Sequence, residues 1–181
     1  MTRERRPSDY MEIFLEPGEF QFTTDRDTRL RTLLGSCVAL TMWHPKQRHG
    51  AMCHYLLPSR GQQRKEQLDG RYGDEAYLMF LNECARHYTN PAHYEIKLFG
   101  GGDMFPAIGK AQGMSIGQKN ISAGLALLEH FGLPLKAQHV GGTGHRVIML
   151  DVWDGAVWVK HQTAVAPPVA PQPQQKKVIN A

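Results

Sequence analysis

The sequence predicts an α+β domain in which β-sheet layers are flanked by helices. Short apolar runs ended by Gly, Pro or polar clusters fill the first third, two later stretches change to helical spacing, and the chain then returns to short strands. Strands come first and last with the helices segregated between them, which favours a layered α+β domain over a regular βαβ repeat.

Residues 19–22, 32–34, 38–43 and 51–57 read as strands, and 58–71 as a polar loop. Over 72–88 the period changes: Tyr77, Leu81, Cys84, Ala85 and Tyr88 recur at spacings of three and four, which predicts a helix with one apolar stripe. Residues 95–99 form a short strand running into Gly100, Gly101 and Gly102. Ser115 followed by Gln118 has the form of a capping box, opening a helix that reaches His130 and is stopped by Gly132 and Pro134. Strands are expected at 135–140, 146–152 and 156–160, with Asp154-Gly155 supplying the positive φ angles of a tight hairpin turn.

At 181 residues, 41% hydrophobic and 21% charged, the chain can bury a sizeable core, which excludes wholesale disorder and a disulfide-stapled miniature. Residues 1–9 are polar and read as a flexible N-terminus, 10–162 as a single domain, and 163–181 as a disordered Pro/Gln-rich tail with four prolines and no aromatic residue. The net charge of +4 resides mostly in those ends, which carry +3 between them and leave the body at +1. A near-neutral body removes most of the compositional case for a nucleic-acid partner, which needs a concentrated basic face. No apolar run approaches the roughly 18 residues of a membrane span, and the N-terminus lacks the apolar core of a secretory signal. The expectation is a cytoplasmic protein without membrane insertion, whose three cysteines stay as thiols.

Of those, Cys37 stands out because Gly35-Ser36 interrupts the strand pattern just before it, and a missing Cβ lets a substrate or another backbone approach. His54 follows on the next strand. If residues 44–47 form a four-residue loop closed by Trp43 opposite Arg48, the antiparallel ladder sets Cys37 directly opposite His54. A register shifted by two leaves them diagonal on one face, whereas a shift of one separates them. An imidazole beside a thiol lowers its pKa by stabilising the ion pair, then protonates the leaving group, which is the chemistry of acyl transfer on an amide or ester. A third polar residue ordinarily orients the imidazole, and Thr32 and Ser36 are both near enough. A serine elbow fails because Leu34 and Val38 occupy its glycine positions. A metal site from His44, His49, Cys53 and His54 is disfavoured because adjacent strand residues point to opposite faces. Phe99-Gly100-Gly101-Gly102-Asp103 lacks the third glycine and the lysine of phosphate loops, so its glycines make a tight turn or leave room for a substrate chain.

Six ordered segments resemble one family. They are 32–39 (TLLGSCVA), 50–58 (GAMCHYLLP), 71–76 (RYGDEA), 97–104 (KLFGGGDM), 116–120 (IGQKN) and 140–142 (VGG). Together they resemble the chemoreceptor glutamine deamidases, the CheD family. The resemblance implies conversion of selected glutamines on methyl-accepting chemotaxis receptors to glutamate, with no metal or organic cofactor. It also implies a fold similar to the catalytic domain of cytotoxic necrotizing factors, and in some members a CheC-type phosphatase as partner. The family's nucleophile falls on Cys37 and its histidine on His54. Its threonine, six residues before the cysteine, falls on Arg31, so Thr32, five before, is the candidate for that role. Ser36, Gly100 and Gly101 are expected to line the substrate, with backbone amides near Ser36 and Cys37 holding the oxyanion. The family's late Gly-Gly-x-x-Gly-Arg pattern departs here at His145. Two other classes remain: a non-catalytic module that binds receptors or a phosphatase, and a cysteine protease or transglutaminase using the same acyl-enzyme logic.

Overall fold

The computed structural model describes residues 6–61, 66–104 and 113–163; the tail expected over 163–181 lies outside it except for Thr163, as do residues 1–5 of the expected flexible N-terminus. The described chain is α+β, with two sheets and two helices. Its elements are β1 (Met11–Leu15), β2 (Phe20–Thr23), β3 (Thr28–Leu34), β4 (Val38–Trp43), β5 (Gly50–Tyr55), α1 (Gly73–Arg86), β6 (Glu95–Gly100), α2 (Ile116–His130), β7 (Leu135–Val140), β8 (His145–Asp151) and β9 (Val157–Gln162). A short 3-10 turn, Pro91–His93, precedes β6.

One sheet runs β1-β3-β8-β9 and the other β2-β5-β4-β6-β7. They pack face to face around Leu15, Leu30, Leu34, Phe99, Ile148 and Leu150. The second sheet's other face carries Leu40, Tyr55 and Leu98 against Phe80 of α1 and Leu128 of α2. Every residue of β4 and β5 is therefore buried, which is why both read as continuous apolar runs rather than alternating ones. No helix among the described residues is long and apolar enough to cross a membrane.

Two local expectations change. The apolar stripe of α1 comprises Ala76, Tyr77, Phe80 and Cys84, with Leu81 packed against the same core, whereas Ala85 is exposed and Tyr88 is 98% exposed. Tyr88 takes φ +54°, and the bonds Tyr88 N–H to Ala85 O and Thr89 N–H to Cys84 O close a Schellman motif that ends the helix and turns Tyr88 outward. At α2 the Ser115–Gln118 capping box forms, and Gly132, at φ +64°, closes the same kind of terminus. Between β8 and β9 the connection is longer than a two-residue turn, with Asp151 N–H bonded to Ala156 O and only Gly155 of the expected pair at positive φ.

Candidate active site

The β4–β5 hairpin sets the site's geometry. Its loop does have four residues, but they are 45–48, closed by His44 N–H to His49 O at 2.9 Å. Pro45 needs no amide partner there, and the amides of Lys46 and Gln47 point to His44 Nδ1. That one-residue slide moves the ladder by two: His54 lies opposite Ala39 and Trp43 opposite Gly50. Cys37 is thus diagonal to His54 rather than opposite it. Both belong to the layer between the sheets, since Ala39 and Cys37 pack in the inter-sheet core while Cys53 and Tyr55 face the helices.

Gly35, Ser36 and Cys37 do not interrupt a strand. They form the connection that carries the chain from β3 in one sheet to β4 in the other. Cys37 is half-buried, whereas Cys53 and Cys84 are buried. The crossing is held from β6, where Gly101 N–H donates to Cys37 O (2.8 Å) and Gly102 N–H to Gly35 O (2.9 Å). Gly100 sits at φ +107°, and a Cβ there would lie 2.3 Å from Cys37 O. Gly100 and Gly101 are accordingly buried against the cysteine's backbone, and Ser36 is half-buried. Replacing Gly100 with alanine forces both a strained φ and a shift of that backbone, so Tm in thermal unfolding should fall by roughly 5 °C or more.

Thr32 reaches the same layer from the opposite sheet. Its Oγ1 donates to Leu15 O at 2.8 Å and lies 2.8 Å from His54 Nδ1. A hydroxyl has one proton, so with that proton on Leu15 the threonine accepts from Nδ1–H, which assigns the tautomer and leaves the lone pair on Nε2. Nε2 is buried and has no hydrogen-bond partner among the described residues. Burial pushes the imidazole down to about 4, with the Leu15 carbonyl and Glu19 opposing. It also raises the Cys37 thiol, against the pull of the cysteine's own backbone amide. Cys53 is pushed up to about 12 by burial. The resting groups are thus thiol and neutral imidazole rather than the ion pair expected from sequence.

Since the fold favours neutral His54, the stability it contributes is complete above the ordinary imidazole value. It is lost as pH falls from 6.5 to about 4, about 3 kcal/mol in all. Denaturant unfolding at pH 7 and pH 4.5 should register most of that loss, and His54→Gln should remove it. An unchanged difference in the variant would mean that the ring titrates freely. His44, His49 and His139, also lowered by burial, add to the slope in the same direction.

Sequence reasoning missed Asn120, which α2 buries completely. Its Nδ2 donates to Ser36 O (3.3 Å) and Leu56 O (2.8 Å). An asparagine on the buried face of a helix was the available signal.

A half-buried thiol and an imidazole oriented through Nδ1, with Nε2 unpartnered among the described residues, in one layer of a β sandwich have the chemistry of a cysteine-dependent acyl-transfer site. The model of the family described as CheD chemotactic sensory transduction matches residues 56–161. Among curated relatives, the probable chemoreceptor glutamine deamidase CheD of Pseudomonas syringae pv. tomato is 53% identical over 159 residues, covering 87% of this chain and 94% of that protein. The one of Pseudomonas fluorescens is 49% identical over 160 residues, covering 87% and 89%. Probable chemoreceptor glutamine deamidase CheD 1 of Leptospira interrogans is 34% identical over 164 residues, covering 85% and 95%. This chain belongs to the CheD family. Cys37 and His54 precede the part matched by the family model, but the span aligned with the Pseudomonas syringae relative is long enough to take in both. A solved structure, the Bacillus licheniformis hypothetical protein YfiH, superposes with a TM-score of 0.44 at 12% identity, over 66% of this chain and 49% of that one.

Proposed function

We propose that this chain is a chemoreceptor glutamine deamidase, with Cys37 as nucleophile, His54 as acid and base, and Thr32 as the residue that orients His54. The observation that carries the reading is the Thr32–His54 bond, which leaves Nε2 as a free base in the layer that Cys37 enters. The names of relatives at about 50% identity support it.

Nε2 takes the thiol proton as Sγ attacks the glutamine carboxamide carbon. The tetrahedral intermediate collapses by breaking the C–N bond, and the imidazolium passes its proton to the departing ammonia. Water then gives a proton to Nε2 and adds to the thioester, releasing glutamate and the restored thiol. Starting from a neutral pair, the proton moves with the attack rather than before it. The amide of Cys37 faces the oxyanion, while Ser36, Gly100 and Gly101 shape the floor on which the substrate side chain lies. No metal or organic cofactor enters the scheme.

The proposal includes a cytoplasmic location, a single domain over 10–162 with flexible ends, methyl-accepting receptors as protein substrates, and a CheC-type phosphatase as a second partner. It also includes a fold related to the catalytic domain of cytotoxic necrotizing factors, as the family resemblance implies. Intact-mass analysis of a receptor cytoplasmic fragment incubated with the protein tests it. The expected result is a gain of about 1 Da per converted glutamine, the difference between NH2 and OH. Unchanged mass with tight binding would replace the enzyme by a non-catalytic module, and chain cleavage or amine adducts would point to protease or transglutaminase chemistry.

A further inference from the structure

We propose that Asn120 is the positioning residue of this site, its carboxamide clamping the peptide before Cys37 to the end of the strand that carries His54. The inference rests on the deamidase reading above and assigns a role to a residue on neither catalytic strand.

One NH2 group makes both bonds. Ser36 O belongs to the peptide whose N–H is that of Cys37, and Leu56 lies two residues beyond His54. The same amide therefore sets how far the nucleophile's loop stands from the histidine's strand. It also sets a direction. In a trans peptide the C=O and N–H point opposite ways, so holding Ser36 O toward α2 turns the Cys37 N–H away from the helix. Turned that way, the Cys37 N–H is left for the oxyanion of the attacked carbonyl, as the proposed mechanism requires. The peptide after Cys37 is pinned independently by Gly101 N–H on Cys37 O. Both peptides of the nucleophile are thus fixed, one from α2 and one from the end of β6.

Asn120 Oδ1 is buried without a partner among the described residues. A side chain chosen only to fill the helix–sheet interface would not leave a buried acceptor orphaned, and the donor end is what the position uses. Tyr55 supplies a control, because its hydroxyl donates to Asn120 O at 2.7 Å and ties α2 to β5 through the helix backbone rather than through the Asn120 carboxamide.

The test uses the full chain with Asn120→Ala, Asn120→Asp and Tyr55→Phe. Asn120→Asp keeps the volume and removes the donors. Both Asn120 variants should lose roughly 100-fold in kcat on the receptor fragment, the scale of a displaced oxyanion donor, with KM within about threefold. Alkylation of Cys37 by iodoacetamide, followed against pH by peptide mass, should shift to higher pH in both. Tyr55→Phe should lower Tm and leave kcat within about threefold. Wild-type kcat in either folded Asn120 variant, or an equal loss of kcat in Tyr55→Phe, would overturn the proposal. Should the wild type leave receptor glutamines unchanged, the deamidase reading fails by itself. The alkylation profile then decides: a shift in the Asn120 variants supports the clamp, and an unshifted one overturns it.

Discussion

Cys37→Ala is expected to abolish deamidation, with a loss of at least roughly 10,000-fold in the mass gained by a receptor fragment per unit time. The structure separates the three thiols by environment. Cys53 faces the helix-side core, fully buried, and is pushed up to about 12, while Cys84 lies buried in α1 under the same core. Only Cys37 is partly open, on the backbone that crosses between the sheets. Iodoacetamide should therefore label Cys37 ahead of the other two, and labelling should abolish activity. Cys53→Ala should weaken the fold modestly and leave turnover. If Cys37→Ala kept the mass gain and Cys53→Ala lost it, the assignment of the nucleophile would be wrong.

His54→Gln should cost roughly 1,000-fold or more in kcat at pH 7, because it removes the imidazole whose Nε2 is to take the thiol proton. The wild-type pH profile carries a sharper test. A general base whose imidazole is held down to about 4 stays competent well below the ordinary histidine range, so the acid limb of kcat/KM should fall near that value rather than near 6.5. Thr32→Val removes the acceptor that holds Nδ1–H. It should cost roughly tenfold or more in kcat while KM changes little, since the ring loses its fixed tautomer and not its contact with substrate. An acid limb at or above 6.5, or a His54→Gln variant within tenfold of the wild type, would remove His54 from the role of base.

Local chemistry made parts of this molecule readable from sequence. The Ser115 capping box, the Gly132-Pro134 stop and the runs of β4 and β7 depend on neighbours a few residues away, and each formed where it was expected. β1 was not recognised. Met11 to Leu15 is an edge strand with one fully buried residue, and its partner β3 runs parallel to it, so neither alternation nor a hairpin turn marks it. The hairpin register missed by two because the loop choice depended on where the His44 ring would turn. Cys37 and His54 were singled out because a ladder makes cross-strand neighbours countable. The contact of Thr32 with His54 spans two sheets, and that of Asn120 with Ser36 spans 84 positions. No periodicity encodes either distance.

The sheet order β1-β3-β8-β9 also bears on when a growing chain acquires its site. Cys37, His54 and Thr32 are all synthesised well before β8, residues His145–Asp151, which the strand that holds Thr32 needs as its second neighbour. A nascent chain short of that strand carries every reactive group and has no finished sheet to oppose the histidine. The thiol thus stays unarmed until translation has passed β8, long after every reactive group has been made.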